Sequence, residues 1–292
     1  MKRTAAFAQD TSYEALLEGL NATLADVELP GEAPTKPVVL VQGMPRSGTT
    51  VLYQLLAQTG AFTYPSNLIA RFYRAPAMGL LLQRLARPLL DEPRWALTSR
   101  AGATDGWWGP HEFGYFWRHH LQIHAHHEPT APAPADLVLQ LGRMEAAGAG
   151  PLLFKNGILT FCTDVLRQAL PTLFVVRIRR DPVDVASSIL AMRTRYYGDP
   201  SAWWSLRPAD IGPVEGASPE AQVAFQVRHG MAAIDGIDAQ LDLSYAGLCA
   251  DPRGEVGRIL EALGLEGAVH GLPAELTASR TDDRARWEGL LA

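Results

Sequence analysis

The chain has 292 residues, 47% hydrophobic and 20% charged, an ordinary globular composition with enough apolar material for a sizeable core. Its net charge of −5 argues against a general nucleic-acid binder but leaves room for a local cationic pocket. Two cysteines, Cys162 and Cys249, are too few for a disulfide framework, and their apolar contexts predict reduced core residues in a cytoplasmic protein.

Lys2 and Arg3 are not followed by a long apolar run, so no signal peptide is expected. No stretch approaches the ~18 uninterrupted apolar residues of a transmembrane segment. Residues 10–29 predict an amphipathic helix, with Tyr13, Leu16, Leu17, Leu20 and Leu24 on one face, ending before Pro30. A Pro/Gly connector over 30–37 leads into an apolar, β-branched strand, Val38 to Val41, which stops at Gly43. A tight loop with a second glycine, Gly48, follows, and a helix over 49–58 opens on Thr49 and Thr50. Residues 62–65 predict a short strand or extended link, 66–90 a helix, and 91–110 irregular chain. An aromatic and histidine-rich segment at 109–120 is separated by a Pro/Ala-rich loop, 129–135, from a helix over 136–148.

A second strand–helix unit follows: strand 152–155, a break at Asn156-Gly157, and a helix near 160–170. The third has strand 173–178, the turn Arg180-Asp181-Pro182, and a helix to about 194. Pro182 fits the first helical turn, where a missing N–H costs nothing. A helix near 219–239, a strand over 241–245 and a helix over 252–264 complete the pattern. Strands alternating with helices predict an α/β fold, a three-layer sandwich with a central parallel sheet of P-loop-like type. A single domain is expected over 1–292, with an N-terminal helix and connector (1–37), a core (38–264) and a C-terminal segment (265–292).

The order strand, Gly-containing loop, helix N-terminus is the recipe for an anion site, because loop amides and first-turn N–H groups converge where the helix dipole favours negative charge. Read against G-x-x-x-x-G-K-[ST], the loop has Gly43, Gly48 and the hydroxyl of Thr50, but Thr49 stands in the lysine's place. Its cation is Arg46, inside the loop. Such a loop cradles phosphate without the lysine that serves the β/γ-phosphates of a nucleoside triphosphate.

Two stretches, Pro45-Arg46-Ser47-Gly48-Thr49-Thr50 and the run Arg180-Asp181-Pro182 to Ser188, together resemble the PAPS-dependent sulfotransferases. The resemblance runs from about residue 38 to about 264 and takes in Ser244-Tyr245-Ala246-Gly247 to Asp251-Pro252, where Ala246-Gly247 replaces an acidic pair. It implies that the co-substrate is 3′-phosphoadenosine-5′-phosphosulfate (PAPS), with no metal. Arg46, Ser47, Gly48, Thr49 and Thr50 would hold the 5′-phosphosulfate, and Arg180 and Ser188 the 3′-phosphate. Arg46 stands where the family has lysine, keeping charge but not readily giving up a proton.

The resemblance places Lys155 at a strand end that contacts the sulfonate or bridging oxygen, while Gly157 takes the slot of a catalytic histidine. Other branches carry a glutamate base between the phosphate loop and this strand, which makes Glu112 and His111 the candidates, alongside Arg46 and Lys155, for the catalytic set. His119, His120, His124, His126 and His127 invite a metal reading, with His120 and His124 on one helical face, but no cysteine or spaced carboxylate completes a site. Trp107, Trp108, Phe113, Tyr115, Phe116 and Trp117, with Trp203 and Trp204, line an apolar acceptor pocket or fill the core. Arg280, Arg284, Arg286 and Trp287 either close over the nucleotide or form a solvated tail.

The expected activity is therefore sulfuryl transfer from PAPS to a hydroxyl, with an amine second, on a small-molecule or lipid-like acceptor. No nucleic-acid partner is expected and a homodimer is left open. Two rivals stand beside it: a P-loop kinase or NTPase, and a catalytically silent module that binds adenosine 3′,5′-bisphosphate (PAP).

Overall fold

The computed structural model describes residues 3–8, 12–25, 30–89 and 95–291. Parts of the predicted helices 10–29 and 66–90 and of the irregular stretch 91–110 lie outside the described residues. Four strands, β1 (Val38–Gln42), β2 (Leu152–Lys155), β3 (Leu173–Arg179) and β4 (Leu241–Ser244), pair in parallel in the order β2-β1-β3-β4. The register aligns Val38 with both Leu152 and Leu173.

Period-two alternation divides the core. Val38, Leu40, Leu152, Phe154 and Val175 face one apolar cluster; Val39, Val41, Leu153, Val176 and Ile178 face the other. The second face is covered by α2 (Thr49–Gln58) and α10 (Pro252–Ala262), through Leu52, Leu56, Val256 and Ile259. The first is covered by α4 (Gly114–Leu121), α5 (Ala135–Ala147), α6 (Thr163–Ala169), α7 (Pro182–Tyr197) and α8 (Pro219–Asp235). The result is a central parallel sheet between two helical layers, as the strand–helix alternation predicts.

Helix α1 (Glu14–Ala25) leaves Tyr13, Leu16 and Leu20 exposed, so its leucine face is not what holds it. Its anchor is the fully buried Asn21, which donates to the Arg71 carbonyl and accepts from the Arg74 amide. The helix expected over 66–90 is interrupted: a 3₁₀ turn, Ile69–Phe72, precedes α3 (Pro76–Ala86). Pro76 forces Ala75 out of helical geometry, to φ −138°. The histidine-rich helix stops at Leu121, where Gln122 turns left-handed at φ 53° and its amide caps the Arg118 carbonyl. His124, His126 and His127 therefore lie beyond it and share no helical face with His120.

Three further elements are α9 (Tyr245–Ala250), α11 (Ala285–Leu291) and a 3₁₀ turn, Gly157–Cys162, before α6. Both cysteines are buried free thiols, and burial pushes Cys162 up to about 12. Among the described residues no helix is long and apolar enough to cross a membrane.

Candidate functional site

The loop from Gly43 to Gly48 crosses the C-terminal edge of the sheet between β1 and β3, where the chain departs in opposite directions and open α/β sheets place their ligands. Both glycines are dictated by space. A Cβ at Gly43 would lie 2.6 Å from Ile178 O and from Ser47 Oγ. Gly48 sits at φ 98°, and a Cβ there would come within 2.5 Å of the Tyr245 ring. Gly48 is also the N-cap of α2, and no side chain caps that terminus. The first-turn amides of α2 thus have no intrahelical acceptor, and Gly48, Thr49 and Thr50 line a cavity of about 520 Å³. Ser47 turns inward instead; its Oγ is buried and lacks a hydrogen-bond partner.

Arg46 adopts φ 72°, a left-handed conformation rare for a residue with a side chain. Its Nε donates to Ser188 Oγ at 2.9 Å, so the loop cation reaches across to α7. Arg180 Nη1 donates to the Arg46 carbonyl at 2.7 Å, and its guanidinium lies 4.5 Å over the Tyr245 ring. Arg180 Nη2 donates to the carbonyl of Ser279 and, at 3.1 Å, to its hydroxyl. Arg180 Nε is buried without a hydrogen-bond partner, and the Asp184 carboxylate is 3.9 Å from it. Arg46, Arg180 and Ser188 are therefore brought together. Burial, and then the Arg180 charge, pulls the Arg46 guanidinium below its ordinary pKa. An anion in the cavity relieves that repulsion.

The C-terminal segment packs on this corner through Ser279 and Thr281 and, of its arginines, through Arg284. The Thr281 amide donates to Asp184 Oδ1 at 2.8 Å, and the Thr281 and Ser187 hydroxyls are 3.0 Å apart. Arg284 pairs with Asp181 at 3.1 Å, Arg286 pairs with Glu220, Arg280 is exposed, and Trp287 is buried against the core.

At the other end of the cavity, Lys155 ends β2 and forms a close ion pair with Glu112 Oε1. Asn156 fixes both: its Nδ2 donates to the Glu112 carbonyl at 2.9 Å while its Oδ1 accepts from the Ile158 amide. Gly102, at φ 95°, passes so near that a Cβ would lie 2.5 Å from Glu112 Oε1. His111 does not line this cavity. Its Nδ1 accepts from the Phe113 amide at 2.9 Å, its carbonyl accepts from the Tyr53 hydroxyl, and burial lowers its pKa. It holds the turn that presents Glu112.

The aromatic residues divide between roles. Trp108, Phe113, Phe116 and Trp117 are core, Trp107 and Tyr115 are exposed, and Trp203 and Trp204 reach the cavity wall. The histidines scatter: His119 packs edge-on against Tyr73, His120 meets Asp136 at 3.2 Å, and His127 meets Arg118 and Arg207. Among the described residues no group of three or more His, Cys, Asp or Glu side chains converges on a metal-sized site. Wall residues that local sequence does not flag are Ser279, Arg118 and Arg207, and it gives no reason to place Tyr245 or His127 on this wall. Each depends on contacts between distant parts of the chain.

The arrangement sets an uncapped helix N-terminus, two arginines and a carboxylate–ammonium pair around one cavity, which suits transfer of a charged group between two bound molecules. The fold is similar to that of sulfotransferase STF9 from Mycobacterium avium, with a TM-score of 0.53 and 15% identity, covering 86% of this chain and 68% of that one. Sulfotransferase STF1 from Mycobacterium tuberculosis H37Rv superposes with a TM-score of 0.49 and 18% identity, covering 86% of this chain and 72% of that one. Comparison with curated proteins gives no match. A family described as the sulfotransferase family matches residues 37–268, a span that holds both the Gly43–Gly48 loop and the Arg180 turn. On that match the chain belongs to the sulfotransferase family and is a transferase.

Proposed function

We propose that the protein transfers a sulfuryl group from PAPS to a hydroxyl, with an amine as second choice, on a small acceptor. The observation that carries this reading is the meeting of two anion sites: the uncapped N-terminus of α2 and the Arg46–Ser188–Arg180 cluster. A donor with phosphates on both the 3′ and 5′ positions matches two adjacent sites. A nucleoside triphosphate matches less well, because Thr49 occupies the lysine's position. The residues fit such a donor: the buried Arg180 Nε lacks a hydrogen-bond partner, and Gly48, Thr49 and Thr50 line the cavity at the uncapped N-terminus of α2.

The donor supplies an activated sulfuryl group whose transfer resembles phosphoryl transfer, with a loose transition state that requires mainly positioning and charge neutralisation. In this reading the α2 amides and the Thr49 and Thr50 hydroxyls hold the 5′-phosphate end. Arg180 and Ser188 hold the 3′-phosphate, and Arg46 bridges the two. Lys155 neutralises charge on the sulfonate side. Glu112 holds Lys155 through Oε1 and takes the acceptor's proton at Oε2. The cavity wall carries more charged than aromatic side chains, which fits a polar acceptor better than a lipid-like one.

The test is transfer of ³⁵S from labelled PAPS across a panel of alcohols, phenols and amines. Stoichiometric release of PAP with a labelled product supports the reading. PAP binding with no transfer to any acceptor would favour the silent module.

A further inference from the structure

The cavity has more positive charge than a donor nucleotide uses. Five cations line it, Arg46, Arg118, Lys155, Arg180 and Arg207, against one carboxylate, Glu112. On the reading above, Arg46 and Arg180 serve the donor, and Lys155 is paired with Glu112. Arg118 and Arg207 remain, and among the described residues neither has a carboxylate partner. Arg118 donates through Nη1 to the Ile123 and His124 carbonyls, and the Arg207 guanidinium stands 5.8 Å from the Trp203 ring centroid.

His127 joins these two arginines. Its amide donates to the Arg207 carbonyl at 2.9 Å, and the Arg207 amide donates to His127 Nδ1 at 3.0 Å. His127 Nε2 lies 3.0 Å from Arg118 Nη2. A neutral imidazole has one N–H and one lone pair, and this ring meets an N–H donor at each nitrogen. With Nδ1 accepting from the fixed Arg207 amide, the Nε2 proton faces the Arg118 proton. Two donors 3.0 Å apart cannot satisfy each other. An oxygen lying over the pair accepts from both.

The segment opposite is shaped to the same space. Ser205 lines the wall at φ 66°, a left-handed conformation uncommon for a residue with a side chain. A Cβ at Gly157 would stand 4.0 Å from Pro45 and 3.9 Å from Ser205. Pro45, Gly157 and Ser205 line the same cavity as Arg118 and Arg207, so the loop end and the arginine end share one space.

We propose that Arg118, His127 and Arg207 form an oxyanion subsite, and that the acceptor is an anionic molecule whose carboxylate or phosphate binds there while its hydroxyl points toward Glu112. The proposal rests on the sulfotransferase reading and names its substrate class.

The experiment titrates the full chain, saturated with PAP, with three matched phenols: 4-hydroxyphenylacetate, 4-hydroxybenzylphosphonate and the neutral 4-hydroxyphenethyl alcohol. At least one anionic probe should bind about tenfold or more tighter than the neutral one. The carboxylate and phosphonate arms show which oxyanion is preferred. Arg207→Gln should abolish the preference, Arg207→Lys should restore part of it, and PAP affinity should stay unchanged in both. Arg207 is the position of choice because Arg118 also caps the end of α4. Equal or weaker binding of the anions, no measurable binding of either anion, or an intact preference in Arg207→Gln would each overturn the proposal. Failure of PAP itself to bind would instead count against the donor reading. The same titration without PAP then still tests the subsite.

Discussion

Arg180→Ala offers the most discriminating perturbation of the donor site. The side chain is largely shielded, 8% exposed, and it joins the Arg46 carbonyl, Ser279 and the Tyr245 ring in one place. A charge-assisted hydrogen bond to a phosphate is worth about 1.5–3 kcal/mol. At about 1.4 kcal/mol per factor of ten, its loss weakens PAP binding about 10- to 150-fold. The effect should be selective. Adenosine 5′-monophosphate has no 3′-phosphate, so its affinity should change by no more than about threefold, the allowance for a loosened loop. Isothermal titration of wild type and variant with both nucleotides gives the four constants. If the variant loses equal affinity for both, Arg180 acts by holding the Arg46 loop and not by touching a 3′-phosphate. If it loses affinity for neither, the 3′-phosphate lies elsewhere.

Two other outcomes follow from the geometry. Glu112→Gln should lower kcat for sulfuryl transfer by about 10²–10⁴ while leaving PAP affinity unchanged. His111→Asn keeps an acceptor for the Phe113 amide and should retain kcat within about threefold, so the reverse pattern in steady-state kinetics would exchange their roles. A pH dependence also follows. Burial, opposed by Asp136, lowers His120 to about 4; burial, reinforced by Arg118, His126 and Arg207, lowers His127 to about 3. Both rings stay neutral in the folded chain while the unfolded chain binds protons near 6.5, so their contribution is complete above about pH 6.5 and is lost as pH falls to about 4 for His120 and about 3 for His127. Each ring adds a slope approaching about 1.4 kcal/mol per pH unit. Urea titrations of His127→Gln should show the slope reduced by one ring's share; an unchanged slope would mean that the ring is not held neutral.

How much of this is legible in the sequence depends on the range of the contacts. The strands follow from runs such as Val38 to Val41, whose alternate residues supply opposite faces of the sheet. The two turns proposed to bind anions are legible because each is set by a few consecutive residues: Gly48 by its φ, and Pro182 by its place in the first turn of α7. The direction of Arg46 is not legible. Its left-handed φ turns the side chain toward Ser188, and that φ is held by Arg180 from a distant strand end. The same limit hides Ser279, which accepts from Arg180, and Thr281, which reaches α7, each across about a hundred residues of chain, and the backbone pairing of His127 with Arg207. The histidine run misleads for a local reason: Gln122 adopts a glycine-like conformation without being glycine, and it ends a helix that composition alone would extend.

The donor we propose is a nucleotide phosphorylated at both the 3′ and 5′ positions, held in one cavity. Thermal unfolding with PAP and, separately, with ATP and magnesium at equal concentration tests it most directly. PAP should raise Tm well above the shift given by ATP-magnesium, because any ligand bound only by the folded chain stabilises it in proportion to its affinity. A larger shift with ATP-magnesium would contradict the account and return the loop to the triphosphate chemistry that Thr49 argues against.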